Sequence, residues 1–169
     1  MPRAGQVLVR TLPVAAALII GLPLVVRLVL DESGQTRSIW WPVPLITLFG
    51  LILLLQRYAQ APRPRFDKRV GQAQWKQAFT AAAKTGSLPP HPEVRIAVGV
   101  VACLSIEALV GAAAIVIAIL LCAPIAPDFP WLPALGGPVF LTVVYALRAR
   151  HGWAYLQALH AAGRHNRGR

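Results

Sequence analysis

The chain has 169 residues, of which 56% are hydrophobic and only 14% charged, a balance that excludes an ordinary water-soluble domain. Its 17 Lys and Arg stand against 6 Asp and Glu, a formal charge of +11 that would usually suggest nucleic acid. Fifteen of the 17 cations, however, fall on one side of a four-span arrangement: Arg3 and Arg10, eight from Arg57 to Arg95, and five from Arg148 to Arg169. Cationic loops retained in the cytoplasm are distributed in this way, so the basicity reads as a topology signal and no nucleic-acid partner is expected.

The first apolar segment, about residues 7–30, follows a short basic start and superficially resembles a secretory signal. Its apolar run exceeds the usual signal core, and Asp31-Glu32-Ser33-Gly34 offers no small-x-small cleavage site, so a retained span is expected. Pro13, Gly21 and Pro23 are expected to bend it. Arg27 lies about one turn from its outer end, within reach of the interface and of Asp31.

After a short acidic outer loop, Trp40-Trp41-Pro42 places aromatic rings at interface depth and a proline where a helix begins. The second span follows over about 39–57. The segment 58–95 then forms a basic cytoplasmic loop opening on Ala61-Pro62-Arg63-Pro64-Arg65, which cannot be helical throughout.

Within that loop Asp67 caps an expected helix to Thr85, stopped by Gly86 and the prolines 89, 90 and 92. Gly71, Trp75, Ala78, Phe79, Ala82 and Ala83 share one side of it, with Arg69, Lys76, Gln77 and Lys84 on the other. Such a basic amphipathic helix is expected to lie flat on the inner leaflet, Trp75 and Phe79 dipping in and Arg69, Lys76 and Lys84 near anionic headgroups. These five residues are the candidate contacts to anionic lipid or to a partner protein.

The third span, about 96–122, is the most continuous apolar run. Trp131 marks the interface before a fourth span at about 131–148, which Pro138 is expected to kink. The tail 149–169 contains Trp153, Tyr155, Leu156 and Leu159, read as a second surface helix. The expected fold is therefore all-α: one integral domain, a four-helix transmembrane bundle with a juxtamembrane amphipathic helix, multi-pass in the plasma membrane, both termini cytoplasmic.

The two halves share an order of parts, and Gln77-Ala78-Phe79-Thr80-Ala81-Ala82 reads much like Gln157-Ala158-Leu159-His160-Ala161-Ala162. A parallel duplication would produce this, and so would chance between alanine-rich helices.

Glu107 is the one carboxylate expected near the middle of a span, where a charge must be paired, protonated or bathed by a water-filled cavity. Val100, Cys103, Gly111, Ala114 and Ala118 share its side and would let another helix approach. Two readings stay open: a proton- or cation-binding group coupled to transport, or a neutral carboxyl bonded to a hydroxyl such as Thr47, Thr142 or Tyr145, or a charged one paired with a partner subunit. Small multidrug resistance transporters also have four spans and one membrane glutamate, but theirs is in the first span and their charge bias is weak, so the comparison fails on both counts.

No cofactor or metal site is expected. Cys103 and Cys122 would stand roughly 28 Å apart along one helix, too far to pair. His91, His151, His160 and His165 lack metal-site spacing, and no serine lies in a glycine elbow. The expectation is a non-enzymatic accessory or interaction subunit with an inner-leaflet-binding loop, acting with a membrane-protein partner or as a homo-oligomer; the alternative is a small homo-oligomeric transporter or channel subunit using Glu107. The stretch from Trp75 to Arg95, an alanine-rich helix followed by Lys-Thr-Gly-Ser-Leu-Pro-Pro-His-Pro-Glu-Val-Arg, resembles loops of small multi-pass membrane proteins of high-GC actinobacteria. Arginine outnumbering lysine 14 to 3 fits such a genome. The resemblance implies a bacterial multi-pass membrane protein and carries no mechanism.

Overall fold

A computed structural model describes residues 4–31, 33–37, 39–59 and 72–165, without the side chains of 59, 72–76, 83 and 163–165. Among these the chain is helical, in the order α1 (Ala4–Val29), α2 (Pro42–Ala59), α3 (Gln72–Thr85), α4 (Pro92–Cys122) and α5 (Trp131–His165). By length and composition α1, α4 and α5 can cross a membrane, whereas α2 is a shorter apolar helix. At 1.5 Å per residue these three reach about 39, 46 and 52 Å, against a hydrocarbon core of about 30 Å.

The breaks between helices follow local chemistry. Pro42 and Pro92 open α2 and α4, where a missing N–H costs nothing, and Glu93 adds a favourable charge to the first turn of α4. Gly86 ends α3 at φ +66, a conformation only glycine adopts without strain, and its N–H donates to the carbonyl of Ala82 at 3.1 Å. Pro13 and Pro23 lie inside a continuous α1 and Pro138 inside a continuous α5. The expected start of α3 at Asp67 falls outside the described residues.

One boundary differs from the sequence expectation. The fourth apolar run and the second surface helix are a single element, α5. The composition changes at Arg148, but nothing there breaks a helix: between Leu147 and Leu159 the only poor helix former is Gly152, and it sits where another backbone comes close.

Two compact units are present. The first is drawn from Met1–Val9, Ala61–Leu109 and Val144–Arg169, the second from Arg10–Gln60 and Val110–Val143. In the first, the start of α1 (Ala4, Val7), one side of α3 (Ala78, Phe79, Ala82), the first half of α4 (Val98, Ala102, Cys103, Ile106) and the last part of α5 (Ala149, Tyr155, Leu156) enclose a common core.

In the second unit the buried positions are mostly small: Val14, Ala15, Ala112, Ala114 and Ala118, with Ile52 the buried residue of α2. α1 and α2 meet where Gly21 faces the tip of Leu48. An antiparallel bridge between Leu30 and Thr36 closes the turn after α1, and the Arg37 N–H donates to the Val29 carbonyl at 2.8 Å. Gly34, at φ +75, rests on Phe129, 3.3 Å separating its would-be Cβ from that of Phe129. The Asp31 carboxylate accepts from the Ser33 hydroxyl at 2.7 Å and the Gln35 N–H at 2.8 Å, and these bonds hold its pKa below the ordinary 3.8. Because the folded value is the lower one, this support for the turn is present above pH 3.8 and fades as pH falls through the folded pKa. Beyond α4, the Trp131 indole N–H donates to the Ala126 carbonyl at 2.7 Å, and its ring stacks at a tilt on Phe129.

Candidate interaction surface

The side of α3 read as lipid-facing packs instead on protein. Phe79 is 5% exposed and meets Tyr155 edge to face, ring centroids 5.9 Å apart and planes at 76°. Ala78 and Ala82 are buried beside it, as helical spacing of three and four requires. An amphipathic stripe shows only that a face avoids water, and here α4 and α5 cover it.

The connection from α3 to α4 is held by one cation. The Arg95 Nε donates to the carbonyl of Pro89 and its Nη2 to that of Pro90 at 3.3 Å. Prolines supply carbonyls without N–H groups to pair them locally, so an adjacent guanidinium with five donors is an apt partner. The Tyr155 hydroxyl donates to the Arg95 carbonyl at 3.2 Å, joining α5 to the same point. Leu88 packs against the core from this connection. Neither Arg95 nor Tyr155 stood out in the sequence as a contact, although an arginine after Pro-Pro-His-Pro was the available signal. Tyr155→Phe is expected to remove about 1 kcal/mol of stability. Hydrogen exchange should quicken first at the start of α4, and unchanged exchange there would mean the hydroxyl contributes nothing.

With its apolar side covered, α3 turns Gln77, Thr80, Lys84 and Thr85 outward. Lys84 is therefore displayed on the open surface. Lys76 and Trp75 belong to α3, with only their backbone described, and Arg69 lies outside the described residues. Thr85 donates to the Ala81 carbonyl and its Oγ1 is 2.8 Å from that of Ser87, closing the C-terminal end of the helix.

Gly152 sets how α4 and α5 meet in the first unit. A Cβ there would stand 3.1 Å from the Ala102 Cα and 3.3 Å from its carbonyl oxygen, so the two backbones touch. α4 and α5 run antiparallel across an eight-residue connection, 123–130. Five residues from this contact on each helix bring Glu107 level with Leu147, and Ile106 level with Arg148. Glu107 is half-buried, and Val100, Cys103, Ala114 and Ala118, assigned to its side by spacing, are buried. Ser105, also buried, donates to the Val101 carbonyl at 2.8 Å.

Among the described residues no three His, Cys, Asp or Glu side chains converge as a metal site would require. The polar contacts around α3 hold helices together. The class defined so far is an all-helical chain with three helices able to cross a membrane and a packed helical core that includes a short basic helix. No family model, curated protein or solved structure matches it.

Proposed function

We propose that this chain is a non-enzymatic, four-span accessory subunit that presents a cationic helix, α3, to an acidic partner in the cytoplasm. The observation that carries this reading is the burial of Phe79, Ala78 and Ala82 in the first core. With those residues covered by protein, α3 has its charged side left for recognition, and recognition through charge selects an anionic partner.

Four spans are supported by length and by what flanks each helix. At 18 residues α2 is about 27 Å long, close to the hydrocarbon thickness. Exposed Ile39, Trp40 and Trp41 precede it, and exposed Gln56, Arg57 and Tyr58 end it, as at two interfaces. The cation distribution then assigns both termini and α3 to the cytoplasm.

The burial pattern agrees with this placement. In α5 6% of the most apolar window is buried, although its later residues Tyr155 and Leu156 are covered. Lipid solvates apolar side chains as well as protein does, so helices in a bilayer have no hydrophobic reason to hide them. Where water returns, the apolar residues must pack on one another, and the first core is where they do.

The same placement moves Glu107. It stands at the middle of α4, but the residues of that helix up to Ile106 contribute to the cytoplasmic core. Level with Leu147 and a residue away from the level of Arg148, Glu107 lies near the inner edge of the hydrocarbon, where water and cations are close. A carboxylate there needs no coupled proton to be tolerated, which favours the accessory reading over transport.

The test is purification in mild detergent from the native membrane, with mass spectrometry of stoichiometrically bound protein. Joint neutralisation by Arg69→Gln, Lys76→Gln and Lys84→Gln is expected to release the partner, and Glu107→Gln to retain it. A clean homo-oligomer whose ion flux in vesicles is abolished by Glu107→Gln would instead establish the transporter.

A further inference from the structure

One face of α5 is exposed from Leu132 to Gln157. Leu132, Gly136, Val139, Val143, Ala146, Arg150, Trp153 and Gln157 recur at alternating spacings of four and three, and every one of them is exposed. The stripe is apolar down to Ala146, then carries a cation, then an indole, then an amide. Trp131 and Trp153 are 22 residues apart, about 33 Å of helix, which matches the hydrocarbon thickness and places an indole at each interface. Arg150 is one turn from Trp153, within snorkelling reach of the phosphate layer.

Two kinds of occupant fit an apolar stripe at this spacing: another helix or a lipid. If a second copy packed on this face about a twofold axis along the membrane normal, Arg150 would meet Arg150 at the same depth, like charge against like. An anionic phospholipid meets the same residues with complementary charge, acyl chain on Val139 and Val143, phosphate on the guanidinium, glycerol region beside the indole. Arg148, exposed two residues away, adds to the positive field at that depth.

We infer that the α5 stripe is a binding site for an anionic phospholipid of the inner leaflet, with Arg150 as the phosphate ligand and Trp153 as its neighbour at the interface. This site is separate from α3 and rests on the membrane-spanning reading alone.

The experiment is native mass spectrometry of the full chain in mild detergent, titrated with phosphatidylglycerol or with phosphatidylcholine of the same acyl chains. Wild type is expected to retain one phosphatidylglycerol in preference to phosphatidylcholine by roughly tenfold. Arg150→Gln is expected to erase that preference, while Arg57→Gln, a cation at the end of α2, preserves it. Equal retention of both lipids by wild type, or undiminished preference in Arg150→Gln, overturns the site. So does a homodimer that a disulfide between Val143→Cys chains traps in high yield. Alkaline carbonate extraction of the same proteins separates the two levels of the argument: wild type that stays in the membrane but shows no preference sinks only the lipid site, whereas wild type released by carbonate sinks the spanning reading with it.

Discussion

Phe79→Ala is expected to detach α3 from the core that it shares with α4 and α5 while leaving the apolar helices in place. The ring is 5% exposed and belongs to one cluster with Val98, Ala102, Ile106, Tyr155 and Leu156. Truncating a buried phenylalanine costs about 3–5 kcal/mol, the transfer of the ring plus the cavity it leaves. Among the described side chains of α3 the other buried contributors are Ala78 and Ala82, which are too small to replace the ring. At 14 residues, α3 is near the length below which isolated helices are marginal in water, so once released it should also unwind. Hydrogen exchange of the protein in lipid nanodiscs reports this directly. Amides of 77–85 should lose protection by several orders of magnitude, with those of α1 beyond Val9 and the later half of α4 unchanged. Retained protection of α3 would show that the helix is held by something other than this face. Phe79→Leu should restore part of the protection, because it keeps most of the apolar volume.

Gly152→Val should be nearly as damaging, by a different route. A Cβ at this position lies 3.1 Å from the Ala102 Cα, and a backbone atom cannot rotate away as a side-chain tip can. The helices must separate, at about 1–3 kcal/mol for the overpacking itself. Separation also lengthens the Tyr155–Arg95 bond and the Phe79–Tyr155 contact, so the total should exceed the local cost. The comparison with other glycines makes the prediction specific. Gly21→Ala meets only the mobile end of Leu48, and Gly111, Gly136 and Gly137 have nothing within 4 Å of a built Cβ. Alanine at the last three should be neutral or stabilising by up to about 1 kcal/mol through helix propensity. Thermal unfolding in one detergent ranks the set, and a Gly152 variant no worse than Gly136→Ala would refute the close approach. Gly152→Ala combined with Ala102→Gly should recover only a minor part of the loss, because the Ala102 Cα and carbonyl oxygen remain in the way when its Cβ is removed.

Both predictions concern the first core, where apolar side chains from four helices pack on one another. Substitutions such as Phe140→Ala or Leu141→Ala, at side chains 68% and 46% exposed, should be mild by comparison.

Much of this was legible in the residues alone. Long apolar runs, tryptophans at their ends, and Gly86 with the prolines after it marked α1, α2, α4 and the end of α3, because hydropathy and backbone chemistry are local properties. Of the residues that a period of 3.6 put on the Glu107 side of α4, Val100, Cys103, Ala114 and Ala118 are buried, whereas Gly111 is partly exposed with nothing close to it. What covers an apolar face is not local. Phe79 in lipid and Phe79 against Tyr155 give the same helical wheel, and only the tertiary structure chose the second. α5 likewise looked like two elements because its composition changes at Arg148, yet a change of composition does not by itself break a helix. The level of Glu107 against α5 was hidden too: its place in α4 can be counted, but its neighbours on α5 follow from Gly152 touching Ala102. Which residues of two helices stand side by side is fixed by close packing between them, and neither helix carries that information by itself.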